Sequence, residues 1–129
     1  MKKQIYAIND SKCNVIFSST HPNKDGKNFG HLYPLDSFDS WHVDGGDPNP
    51  WVQVTTNGLK MWIAVITQGR PNNIQWIKKF KVSYSDDGGK TWAWADDGKT
   101  YNANTDGTTK IKTTFTHPFK ADKIKLHLV

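Results

Sequence analysis

From Trp76 the chain alternates between apolar and polar residues. Trp76, Phe80, Val82 and Tyr84 fall on one side of an extended backbone, and Lys79, Lys81 and Ser83 on the other. Successive side chains of a strand point to opposite faces, so this period of two fits a strand and not a helix. The C-terminal stretch repeats it, with Ile124, Leu126 and Leu128 opposed to Lys123, Lys125 and His127. Ile111, Thr113 and Phe115 form a shorter case, and no stretch of ten or more residues carries helical apolar spacing. Apolar residues on one face and lysines on the other predict antiparallel strands with one wet side. Met61–Ile66 is apolar on both faces and is predicted to lie centrally, covered on both sides. Asn14–Ser19 and Trp51–Thr55 complete the set. Short strands separated by Gly, Asn, Asp and Pro define the fold class as all-β, an antiparallel sandwich or small barrel.

The 129 residues suffice for one domain, residues 1–129, and six Trp, six Phe and four Tyr supply a core. Met61–Ile66, the longest apolar run, is about a third of the roughly 20 residues needed for a helical span. Seventeen Lys and Arg against twelve acids give a formal charge of +5, and Arg70 is the only arginine. Readers of nucleic acid lean on the planar guanidinium fork, so no nucleic-acid partner is expected. The lysine excess fits a solvated surface or an anionic partner. Cys13 stands alone, so no internal disulfide can form, and it reads as a small buried strand residue. Met1–Ile8 begins with bases and then apolar residues, but the apolar part is too short for a secretory signal. The expected location is the cytoplasm, or the cell surface after export without a signal peptide.

Nothing points to catalysis. The chain has no Gly-x-Ser-x-Gly elbow, no His-Glu-x-x-His and no phosphate-cradling loop. Its five His share no ligand spacing, and all twelve acids are Asp. Ser85, Asp87, Gly89, Thr91 and Trp92 match the Asp-box pattern found in sialidases and related propellers. In that motif the Asp bonds the amides of a turn and the Trp packs beneath it, a structural role. One box in 129 residues cannot build the blades of a propeller. The segment is therefore a hairpin staple, and Asp96–Tyr101 repeats its turn chemistry.

His21–Pro50 has no clear periodicity, and thirty such residues in a compact domain mark functional loops. It supplies Tyr33, Asp36, Asp39, Trp41 and His42, the mixture of rings and polar groups that a sugar needs. Rings stack on the C–H face while carboxylates and imidazoles hold hydroxyls. Trp41 reads either as such a platform or as a plug at the end of a sandwich. The second cluster, Gln68–Trp76, adds Arg70, Asn72 and Trp76. Arg70 would bridge two hydroxyls, or else bond loop carbonyls. A rival reading makes Phe29, Leu32, Leu35, Phe38 and Ile74 loop tips that enter an anionic membrane, ringed by Lys24 and Lys27. A third makes the domain a protein-docking module of a larger polypeptide.

At these residues the chain resembles the coagulation factor 5/8 type C, or discoidin, domain. The resemblance is carried by Ser18-Ser19-Thr20, Pro50-Trp51-Val52-Gln53-Val54, Ala64–Arg70, Gln75-Trp76-Ile77 and Tyr84-Ser85. It runs from about Cys13 to Val129, and is nearest to the amoebal discoidin lectins. It implies an eight-stranded jelly-roll sandwich whose loops at one end bind galactose-type glycans, anionic phospholipids or proteins. It also implies a structural calcium, with Asp36 and Asp39 as candidate ligands, and a lectin acting in cell adhesion. Single-site affinity for a monosaccharide should be weak, so homo-oligomers are expected for avidity. Members of the family continue beyond the position of Val129. The chain is therefore expected to lack the last strand, to be a piece of a longer protein and to leave an open edge. Arg70-Pro71-Asn72 stands where some discoidins have Arg-Gly-Asp, which argues against integrin-type adhesion.

Overall fold

The computed structural model describes residues 13–19, 46–69 and 77–129. Within them lie β1 (Asn14–Phe17), β2 (Trp51–Thr67), β3 (Lys79–Ser85), β4 (Ala93–Trp94), β5 (Tyr101–Asn102) and β6 (Ile111–Leu128). They form one antiparallel sheet in the order β1-β2-β6-β3-β4, with β5 also paired to β3. The all-β antiparallel architecture is that expected from the alternation. Among the described residues the only helical element is a 3-10 turn at Ala95–Gly98.

Two strands are far longer than the sequence suggests. Trp51–Thr55 and Met61–Ile66 are parts of one 17-residue strand, and Ile111–Phe115 and Ile124–Leu128 are parts of one of 18 residues. The β2–β6 ladder slips twice, between Thr55 and Lys60 and again between Trp62 and Ala64. The first slip falls at Gly58, whose φ of 84° lies in the left-handed region that glycine enters without penalty. The second leaves extra residues on β6 at Phe115–Pro118, and Pro118 sits where no ladder N–H is needed. Such bulges bend a ladder sharply, so both long strands contribute to two layers.

Rings hold the layers together. Phe119 from the first half of β6 stacks on Tyr84 of β3, with centroids 4.0 Å apart and planes at 12°. Phe115 meets Phe119 at 4.9 Å and Tyr101 at 5.9 Å, and Tyr101 meets Phe80 at 5.3 Å. Phe80 and Val82 are wholly buried with Val54, Ala121 and Ile124. Each buried aliphatic or phenyl side chain contributes about 1.5–3 kcal/mol.

Four expectations are corrected. Met61 is 55% exposed and Trp62–Ile66 are only half-buried, because this part of β2 is paired on one side alone among the described residues. Ser83, expected on the wet face, is buried there, within 2.8 Å of His127 Nε2. Cys13 is half-buried and packs against the core from just before β1. The C-terminal strand is no open edge, since its second half is paired to β2 on one side and β3 on the other.

Candidate functional site

The long His21–Pro50 connection leaves β1 and returns to β2, and its described ends are clamped together. The hydroxyls of Ser18 and Ser19 both donate to the Asp47 carboxylate, at 2.6 and 2.7 Å. Ser18 also donates its N–H to the Trp51 carbonyl at 2.9 Å, and Trp51 returns its N–H to Ser18 Oγ at 2.9 Å. The two serine bonds hold the Asp47 carboxyl below its ordinary range. Ser18-Ser19, quoted for the family resemblance, thus acts as a loop clamp.

The Arg70–Trp76 connection has a bracket of its own. Asn104 donates its backbone N–H to the Ile77 carbonyl at 2.8 Å, and its amide to the Thr67 carbonyl at 3.1 Å and the Thr109 carbonyl at 2.9 Å. One residue therefore joins the strand that enters this connection, through its side chain, to the residue where it ends, through its backbone N–H. Asn104 is 2% exposed. The turn behind it is built by Asp106, which accepts the N–H groups of Thr108 and Thr109 at 3.0 and 2.7 Å and the Thr109 hydroxyl at 2.7 Å. That turn presents the Thr108 carbonyl to Gln68 Nε2 at 2.7 Å. Leu128 donates to the Pro50 carbonyl and Val129 to the Lys79 carbonyl, both at 3.0 Å. Those bonds tie the Pro50 end of one connection to the Ile77 end of the other, on one rim of the sheet.

The opposite rim carries the hairpin staple. Asp87 Oδ1 accepts the Thr91 N–H at 2.9 Å and the Ser85 hydroxyl at 2.7 Å, while Oδ2 accepts the Thr91 hydroxyl at 2.6 Å. Ser85 Oγ accepts the Gly89 N–H at 2.8 Å. The bonds from Thr91 and then Ser85 hold the Asp87 carboxyl far below its usual value. Every polar side-chain atom of the motif bonds within the turn, as expected of a structural box. Trp92 departs from the pattern: it is 37% exposed, and its indole N–H donates to the Gly89 carbonyl at 3.1 Å.

One feature went unread in the sequence because each half looked ordinary. On the outer face of the sheet, cross-strand rows set Trp51 beside His127 and Lys81, and Gln53 beside Lys125, Ser83 and Trp94. The Lys125 ammonium lies 4.5 Å from the Trp51 ring and 4.6 Å from the Trp92 ring. Lys81 lies 4.7 Å from Trp94, whose ring meets the His127 ring at 5.0 Å. Burial, then the Lys125 and Lys81 charges, push the His127 imidazole below its ordinary value. The signal was lysine alternation in two strands, with Trp51 and Trp94 in register beside it and Trp92 just before β4.

The residues singled out for sugar binding, Tyr33, Asp36, Asp39, Trp41 and His42 in one connection and Arg70, Asn72 and Trp76 in the other, lie outside the described residues. So do the loop-tip residues of the membrane reading. Among the described residues no three His, Cys or Asp side chains gather to hold a metal. The candidate calcium ligands Asp36 and Asp39 lie outside them as well.

A bent antiparallel β framework with clamped connections on one rim defines the chain as a β-sandwich domain. The F5/8 type C domain matches residues 15–129, and the chain belongs to that family. Discoidin-2 of Dictyostelium discoideum is 30% identical over 93 residues, covering 72% of this chain and 36% of that protein. The solved discoidin II of the same organism superposes with a TM-score of 0.76 at 24% identity, over 96% of this chain and 52% of that one. A Clostridium perfringens module, CpGH89CBM32-5, solved in complex with GalNAc-β-1,3-galactose, superposes at 0.72 and 16% identity, over 92% of this chain and 84% of that one. The chain thus spans about a third of its curated relative and half of the solved discoidin.

Proposed function

We propose that this domain is a non-catalytic lectin module that binds galactose-type glycans, galactose or N-acetylgalactosamine, in cell adhesion or recognition. Membership of the discoidin family supports the reading, as does the likeness to a module whose solved complex holds GalNAc-β-1,3-galactose. The observation that carries it is the paired clamping of the two connections. Asp47 with Ser18 and Ser19, and Asn104 with Thr67 and Ile77, fix their ends on a common rim. Sites built on rigid supports spend less free energy on ordering when ligand arrives.

In this reading Trp41 or Tyr33 stacks on the sugar, and Asp36, Asp39 and His42 take its hydroxyls. Arg70 spans two oxygens, with Asn72 and Trp76 beside it. Asp36 and Asp39 would also be the carboxylates that hold a structural calcium. A single site for a monosaccharide has a millimolar dissociation constant, about 4 kcal/mol, so physiological binding uses several copies.

Glycan-array screening followed by calorimetric titration with galactose, N-acetylgalactosamine and glucose tests this. Expected are binding of the first two over glucose, and loss of binding in Arg70→Ala and Trp41→Ala with the thermal midpoint kept. Repeating the titration in EDTA reads the calcium. Binding to no glycan, sedimentation with phosphatidylserine vesicles instead, or turnover of a chromogenic glycoside would overturn the reading.

A further inference from the structure

The outer face of the sheet has no part in the galactose reading. The geometry points to a second binding surface there: the face on which Lys81, Lys123 and Lys125 are fixed among Trp51, Trp92 and Trp94 is a docking site for an acidic polysaccharide, a glycan chain bearing sulfate or carboxylate groups.

Charge comes first. The outward positions are Asn14 and Ile16 of β1, Trp51, Gln53 and Thr55 of β2, the odd residues from Lys79 to Ser85, Trp94, and Lys123, Lys125 and His127. These strand positions carry lysines and a histidine but no Asp, so they attract an anionic chain.

Preorganisation is the second argument. A free lysine loses most of its rotamer freedom when it grips a ligand. Here Lys125 is held between two tryptophan rings, Lys81 lies over a third, and Lys123 Nζ donates to Thr55 Oγ1 at 3.0 Å. A ring attracts an ammonium by its charge and leaves N–H donors free for anionic oxygens. Lys81 and Lys125 are diagonal neighbours on adjacent strands, about 7 Å apart at their backbones.

The same geometry selects the partner. Single-stranded nucleic acid gains affinity by stacking bases on open rings. The rings of Trp51 and Trp92 already share the Lys125 ammonium, and the face has no guanidinium. Membrane insertion needs a cluster of projecting aliphatic side chains, whereas the strand positions of this face expose one, Ile16, beside Trp92 and Trp94. An acidic glycan needs no open ring: its sulfate or carboxylate groups meet the ammoniums that the rings hold in place.

The test is affinity for heparin and polygalacturonate, with neutral dextran, poly(U) and phosphatidylserine vesicles as competitors. The two acidic glycans should bind and dextran should not. Lys81→Gln/Lys125→Gln should lose about tenfold, whereas Lys112→Gln/Lys120→Gln, which removes the same charge elsewhere on β6, should stay within about twofold. Tryptophan fluorescence of the intact domain should shift on heparin addition, and Lys81→Gln alone should weaken that titration if the double variant does not fold. Equal loss in the two double variants, no retention of the wild type, or tighter binding to poly(U) or vesicles would overturn the assignment. Galactose titration of Lys81→Gln/Lys125→Gln should be unchanged, which separates failure here from failure of the lectin reading.

Discussion

The Asp96 carboxylate accepts the backbone N–H of His117 at 2.8 Å, across 21 positions of chain, and that of Thr116 at 2.9 Å. Those two N–H groups belong to the extra residues of the β6 bulge and have no ladder partner. Asp96 reaches them from a tight turn in which its own φ is 48° and that of Asp97 is 58°. A short acidic side chain tolerates that left-handed conformation better than most. The Tyr101 hydroxyl donates to the same carboxylate at 2.7 Å.

Asp96 therefore caps a bend rather than an enzyme site. Asp96→Ala should destabilise the domain by about 1–2 kcal/mol, because its partners are partly exposed. Asp96→Asn, which keeps an acceptor but loses the charge, should cost less. Combined with Tyr101→Phe in a double-mutant cycle, urea unfolding should show coupling between the two.

The hairpin staple predicts a local effect. Asp87→Ala removes the acceptor for the Thr91 N–H and for the Ser85 and Thr91 hydroxyls together. The expected outcome is faster amide exchange at Gly89 and Thr91 and a lower urea midpoint, with the m-value unchanged.

Asn104→Ala should cost about 1–3 kcal/mol, since it leaves buried carbonyls unpaired. It should also weaken glycan binding by more than its loss of stability explains, because it frees Thr67, the strand end that leads into the Arg70–Trp76 connection. The Thr67 hydroxyl beside it is buried with no hydrogen-bond partner. Thr67→Val is therefore expected to be neutral or stabilising by calorimetry.

Acid should act in two steps. The His127 imidazole faces Lys125, Lys81, Trp94, Trp51 and Ser83, and its folded pKa lies below 6.5. The unfolded chain then binds the extra proton first, so this contribution is complete above pH 6.5 and fades as pH falls through the folded value. Asp47, Asp87 and Asp106, held by hydrogen-bond donors, also lie below their ordinary 3.8. Burial pushes Asp96 up, but bonds from Tyr101, His117 and Thr116 outweigh it and leave it below 3.8 as well. Their contribution is complete above pH 3.8 and is lost below it. Urea unfolding across this range should show both steps, and His127→Gln should abolish the first.

Much of the framework was legible because burial writes itself into period two. Phe80 and Val82, chosen by alternation, are wholly buried, and the Ser85–Trp92 turn forms where Asp and Gly predict it. The joining of Trp51–Thr55 to Met61–Ile66 was not legible, because a bulge at Gly58 looks like a turn when the partner strand is unknown. Trp92 misled for a related reason. The motif fixes the turn but not the ring, which answers to Lys125 on β6, on the far side of β3.

Sequence alone determined the all-β class, the single cysteine, the positive balance and which strand faces are apolar. Each is a local or compositional property, fixed by residue type and by spacing of two. Tertiary structure alone decided which distant residues meet: Asp96 with the β6 bulge, Asn104 with the ends of a connection, and two lysines with three tryptophans on one face. Those pairings depend on strand order and register. Order and register minimise the free energy of the whole sheet, and no single segment encodes them.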